Sequence, residues 1–74
     1  MEWLRSESVR IALNVINGVK TSTVLLYKMN SDDPDVYETC VFEGDDSNVI
    51  GIYKTEADAI AGHNRIIKEQ LMRL

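Results

Sequence analysis

Val9-Arg10-Ile11-Ala12-Leu13-Asn14-Val15-Ile16-Asn17-Gly18-Val19-Lys20-Thr21-Ser22-Thr23-Val24-Leu25-Leu26-Tyr27 is the stretch whose reading decides the fold. Its length would suit one long helix, yet Val9, Ile11, Leu13 and Val15 alternate with Arg10, Ala12 and Asn14, which is the two-residue period of a strand. Asn17-Gly18 then divides the stretch in two. A type I′ turn needs φ > 0 at both central positions, and Asn followed by Gly meets that need at the least steric cost. The return run from Val19 to about Tyr27 is rich in Thr and Val, as pleated, half-buried strands prefer.

A two-residue turn sets Ile16 opposite Val19, and so Leu13 opposite Ser22, Ile11 opposite Val24 and Val9 opposite Leu26. One face of the hairpin then carries Val9, Ile11, Leu13, Val15, Val24 and Leu26, and is assigned to the core beneath a helix. The other carries Arg10, Asn14, Ile16, Thr21, Thr23, Leu25 and Tyr27. That mixture suits a ligand surface or a subunit contact, with a solvated sheet face as the plain alternative.

Working outward, Lys28 to Asp35 is expected to be a loop, since Asn30-Ser31-Asp32-Asp33-Pro34 supplies turn chemistry. A third strand is expected from about Val36 to Glu43 and a fourth from about Asn48 to Tyr53, joined by Gly44-Asp45-Asp46-Ser47. Thr55 has the chemistry of a helix N-cap. Glu56 and Asp58 follow where the helix dipole favours negative charge, and Arg73 stands near the opposite end, where a cation is favoured. Ala59, Ile60, His63, Ile66, Ile67, Leu71 and Leu74 recur at helical spacing as one stripe. Gly62 costs about 1 kcal/mol against Ala in a helix, which points to a close approach of helix and sheet. The expected fold is α+β: a four-stranded antiparallel β-meander over 8–54 with one C-terminal α-helix, 55–74, packed on one face, in a single domain.

Seventy-four residues bury only about 60% of the surface the unfolded chain exposes, so a monomer has a marginal core. Cys40 has no second cysteine to pair with, and one Cys with one His does not make a zinc site. Self-association is the expected supplement. The apolar fraction of 45% is that of a globular chain. A net charge of −4 and a pI near 4.7, with the basic residues scattered, argue against a protein that tracks nucleic-acid phosphates. Met1-Glu2-Trp3-Leu4 runs into charge instead of an apolar signal region, and no apolar run reaches membrane-spanning length. The expectation is a soluble cytoplasmic protein.

Three segments together resemble a family of small proteins encoded by bacteriophages and prophages. They are Thr21-Ser22-Thr23-Val24-Leu25-Leu26, Tyr37-Glu38-Thr39-Cys40-Val41-Phe42 after the acidic loop with Pro34, and Tyr53-Lys54-Thr55-Glu56-Ala57-Asp58-Ala59-Ile60-Ala61-Gly62-His63. Relatives typically read Ser-Thr-Val-Phe-Leu-Gly-Leu-Asp-His, then Phe-Glu-Thr-Met-Val-Phe, then Tyr-x-Thr-x-x-Glu-Ala-x-x-Gly-His. The resemblance covers roughly residues 19 to 63. It departs at Leu25-Leu26-Tyr27-Lys28-Met29-Asn30, which stands where the relatives carry Phe-Leu-Gly-Leu-Asp-His. A phage origin, with the host cytoplasm as the place of action, is what the resemblance implies; it brings no mechanism.

The residues that could carry chemistry are few. His63 lies on the helix stripe without a nucleophile or second ligand at motif spacing, so a satisfied, half-buried histidine is preferred to a catalytic base. Cys40 has no basic neighbour in sequence and reads as an inert thiol. Asp32, Asp33, Asp35, Glu43, Asp45 and Asp46 lack the spacing and mid-loop Gly of an EF-hand and read as solvated loops. No catalytic residue, metal or cofactor is expected, and the chain is read as a non-enzyme. If Glu38 points toward the helix it needs a partner, and His63 is the preferred one, as a structural Glu38–His63 pair.

Two functions fit. One is a phage counter-defence protein that, as an oligomer, sequesters a small anionic nucleotide signal or blocks a host defence protein. For nucleotide binding the candidates are Arg10 and Arg65 for phosphate, Tyr27 and Tyr53 to stack on a base, and Thr21 and Thr23 as hydrogen-bond donors. The other is a minor structural or regulatory phage protein whose exposed sheet face serves only homo-oligomerisation.

Overall fold

A computed structural model describes residues 6–28 and 34–73. Strands β1 (Ser6–Ile16), β2 (Val19–Lys28), β3 (Val36–Glu43) and β4 (Asp46–Tyr53) form one antiparallel sheet in the order β1-β2-β3-β4, and helix α1 (Glu56–Met72) packs on it. This is the α+β meander with a C-terminal helix that the sequence predicts. No helix among the described residues is long and apolar enough to cross a membrane.

Local signals act where they were read. Asn17 and Gly18 take φ of 53° and 82°, so the hairpin turns at the dipeptide that tolerates this region best. Thr55 caps α1, its Oγ1 accepting from the Asp58 N–H at 3.1 Å. At the other end the Arg73 N–H donates to the Gln70 carbonyl at 3.2 Å. Three boundaries shift. β1 begins at Ser6 and not near residue 8. Gly44-Asp45 alone makes the second tight turn, with Gly44 at φ 61°, so β4 begins at Asp46 and not near Asn48. Lys28 belongs to β2, while the expected turn at 29–33 lies outside the described residues, as does the end of the helix stripe at Leu74.

The helix lies on the opposite face of the hairpin from the one expected. Its contacts run to Asn14, Thr21 and Thr23, while Leu13 and Val15 stand 41% and 63% exposed on the other side. A β-bulge contributes to the difference. Ile11 is an extra residue in β1, so Arg10 pairs with Val24 and Val9 with Leu25, one residue away from the expected register. Arg10 is therefore carried away from the helix and Val9 toward its side. A second bulge at Ile50 lets Thr39 face Gly51 and Cys40 face Val49.

The reason for this choice of face lies in α1 itself. Its buried residues are Ala59, Gly62 and His63, followed by half-buried Ile66, Ile67 and Gln70, whereas Ile60 and Leu71 of the expected stripe are 38% and 53% exposed. A stripe with His and Gln at its centre needs hydrogen-bonding partners when it is withdrawn from water. The face with Asn14, Thr21, Thr23 and Thr39 provides them, with Asn14 and Thr23 bonded to His63 and Thr21 to Gln70. Small side chains on both sides also let the layers approach, and the Cα atoms span only 15 Å in the thinnest direction. The Tyr53 ring is clamped between layers: a methyl group added at Gly62 or at Gly51 would overlap its phenol. Gly62 is thus the close-approach glycine that its helical cost implied.

Candidate functional site

The pleat of β2 and β3 brings Thr23 and Thr39 side by side on the helix face, because they are directly paired across the ladder. Their hydroxyls lie 2.6 Å apart. Above them His63 places Nδ1 2.8 Å from Thr23 Oγ1 and Nε2 2.8 Å from Asn14 Oδ1. Thr21, Thr23, Thr39 and His63 are all at most 1% exposed. An amide oxygen only accepts, so His63 Nε2–H donates to Asn14 and the neutral ring accepts at Nδ1 from Thr23 O–H. Thr23 in turn accepts from Thr39 O–H. Burial holds the His63 pKa below its usual value.

The three segments that carry the phage resemblance therefore meet here, through Thr23, Thr39 and His63, with Tyr53 seated against Gly62 beside them. Their convergence is a matter of packing: both imidazole nitrogens are used to join the helix to the sheet, and neither is left for proton transfer. The expected Glu38–His63 pair does not form. Glu38 is paired with Val24 and points away from α1, and it accepts a hydrogen bond at 3.4 Å from the Cys40 thiol two residues along the strand. Burial, then that hydrogen bond and the carboxylate charge, raise the Cys40 pKa above 9.0, which keeps sulfur as the poorly nucleophilic thiol. Among the described residues no three His, Cys, Asp or Glu side chains are grouped to hold a metal ion.

At the C-terminal half of α1 the layers part. Gln70 Nε2 donates to Thr21 Oγ1 at 3.0 Å, while its Oε1 is buried without a partner among the described residues. Gln70 and Arg73 line two hollows. One of about 220 Å³ lies toward the hairpin turn, against Ile16, Val19 and Glu43. The larger, about 460 Å³, lies toward β4 and is lined by Asn48, Ile50, Tyr53, Arg65, Gln70 and Arg73. Arg65, Glu69 and Arg73 follow one another at four-residue spacing along α1, so the cleft has two cations with one carboxylate between them.

The six residues expected to bind a ligand are divided by the fold. Tyr53 and Arg65 share the larger cleft, and Thr21 reaches it through Gln70. Thr23 is spent in the buried network. Tyr27 lies two positions beyond Leu25 on the helix face of β2, toward the opposite end from Gln70, and Arg10 is on the other side of the sheet. Sequence reading missed Asn14 as a histidine partner and Gln70 and Arg73 as cleft residues. Asn14 could have been found by asking which face offers His63 an acceptor; the cleft had no local signal. Comparison with family models, curated proteins and solved structures found no match to this chain.

Proposed function

We propose that this is a non-enzymatic binding protein that takes a small anionic ligand of the nucleotide type in the cleft between β4 and α1. The observation that carries the reading is the 460 Å³ cleft in which Arg65, Arg73, Asn48 and the Tyr53 ring surround a glutamine whose carbonyl oxygen is buried and unpaired among the described residues. Two guanidinium groups favour a phosphate, and a lone buried acceptor favours a ligand that also brings an N–H or O–H donor. A nucleotide offers both. Support for a non-enzyme comes from His63, whose ring nitrogens are both engaged, and from Cys40, whose thiol is hard to ionise. Counter-defence in a phage-infected cell, by sequestering such a signal, is the biological setting that the sequence resemblance suggests, and self-association is part of the reading.

Calorimetric titration with cyclic di- and trinucleotides and cyclic ADP-ribose isomers tests it. Saturable heat that disappears in Arg65→Ala and Arg73→Ala is the expected result; no heat from any member of the panel would overturn the ligand. The second reading, blockade of a host protein or plain homo-oligomerisation, is favoured by a different observation, the bare apolar face of the sheet.

A further inference from the structure

The sheet face turned away from α1 presents Leu13, Val15, Val24, Phe42, Val49 and Ile52 in adjacent rows of the ladder, with Cys40 and Ser22 at the centre. Val15, Val49 and Ile52 are 63%, 53% and 64% exposed. Against this, Ala59 is the only buried apolar side chain among the described residues. The chain has thus placed its fully buried polar side chains between its two layers and left these aliphatic ones on the open face. An exposed apolar surface of this kind marks an interaction site.

We infer that a second copy of this chain covers the face, sheet on sheet, about a two-fold axis running along β2. Two features select that occupant. One helix of about 10 Å diameter does not cover strands spaced at about 4.8 Å over this width, whereas a second sheet on this axis lies over β1, β2 and β3 and leaves β4 at the rim. The second feature is charge. Arg10 and Glu38 flank Val24 in one row, on β1 and β3. A two-fold axis along β2 sets Arg10 of each copy against Glu38 of the other, and stacks Val24 on its own image. The same operation brings Val15 against Phe42 and sets the Lys20 residues of the two copies opposite each other at the axis, each ammonium lying 4.7 Å from its own Phe42 ring. A purely acidic or purely basic partner would leave one of the two charges opposed; this face satisfies both with itself.

The inference rests on the self-association in the reading above and specifies its surface. The test is sedimentation at tens of micromolar, with circular dichroism to verify folding, of the wild type, Arg10→Glu, Glu38→Arg and an equimolar mixture of the two variants. Wild type should run at twice the chain mass. Each variant alone opposes like charges and should dissociate at least about tenfold more readily. The mixture should recover a heterodimer, because one copy is then acidic at both positions of the row and the other basic at both, so both charges of that row meet their opposites across the axis. A monomeric wild type would overturn both the inference and self-association. A dimer that either variant leaves intact, or a mixture that fails to recover one, would overturn this face and axis alone.

Discussion

Replacing Thr23 by Val deletes one hydroxyl and keeps the shape of the side chain, so no cavity opens. Two contacts disappear with it: the donor 2.8 Å from His63 Nδ1 and the acceptor 2.6 Å from the Thr39 hydroxyl. Each partner is fully buried, and an unsatisfied buried polar group costs about 1–3 kcal/mol. Offsetting these by roughly 1 kcal/mol for the added methyl gives a net loss of about 1–5 kcal/mol. At about 0.05–0.15 kcal/mol per residue the whole domain holds some 4–11 kcal/mol, and at about 4–8 °C per kcal/mol Tm should fall by about 5–40 °C. Thr39→Val should cost only about 1 kcal/mol, because Thr23 O–H still reaches His63. The double variant should lose less than the sum of the two, by about 1 kcal/mol, since Thr39 is no longer stranded. Urea and thermal unfolding followed by circular dichroism, at one fixed protein concentration, measure all three. A Thr23→Val loss under about 0.5 kcal/mol, or a greater loss in Thr39→Val, would refute the relay of hydroxyls into His63.

The His63 pKa is lowered on folding, so the unfolded chain binds this proton more readily; stability is fully present above the unfolded value of 6.5 and declines as pH falls from there toward the folded value, a dependence that His63→Gln should flatten. Gly62→Ala should destabilise by about 1–2 kcal/mol through collision with the Tyr53 ring, yet stabilise by up to about 1 kcal/mol in a Tyr53→Ala background, where only helix propensity remains. An unchanged sign in the two backgrounds would refute the close approach. Gly18→Val forces a β-branched residue to φ 82° and should cost at least about 1 kcal/mol by melting point; no change would refute the strained turn.

What the sequence determined by itself is local. Asn17-Gly18 ends one strand and begins another because few residue pairs accept φ > 0 twice, and Thr55 starts the helix because its hydroxyl satisfies a free N–H three residues on. Such signals need only neighbours, and they suffice for four strands and a helix in the right order. Tertiary structure alone decided which face the helix covers. Hydrophobic period favoured the side with Leu13 and Val15, but the helix brings His63 and Gln70 to its inner surface, and leaving those unpaired in the interior costs more than leaving aliphatic side chains in water. Asn14, Thr21 and Thr23 answered them, from positions 40 and more residues away in sequence. The bulge at Ile11 then carried Arg10 to the apolar side, across Val24 from Glu38 in the same row. Alternation along a strand reports two faces and cannot rank them; the ranking depends on what each face meets, which is a property of the packed chain.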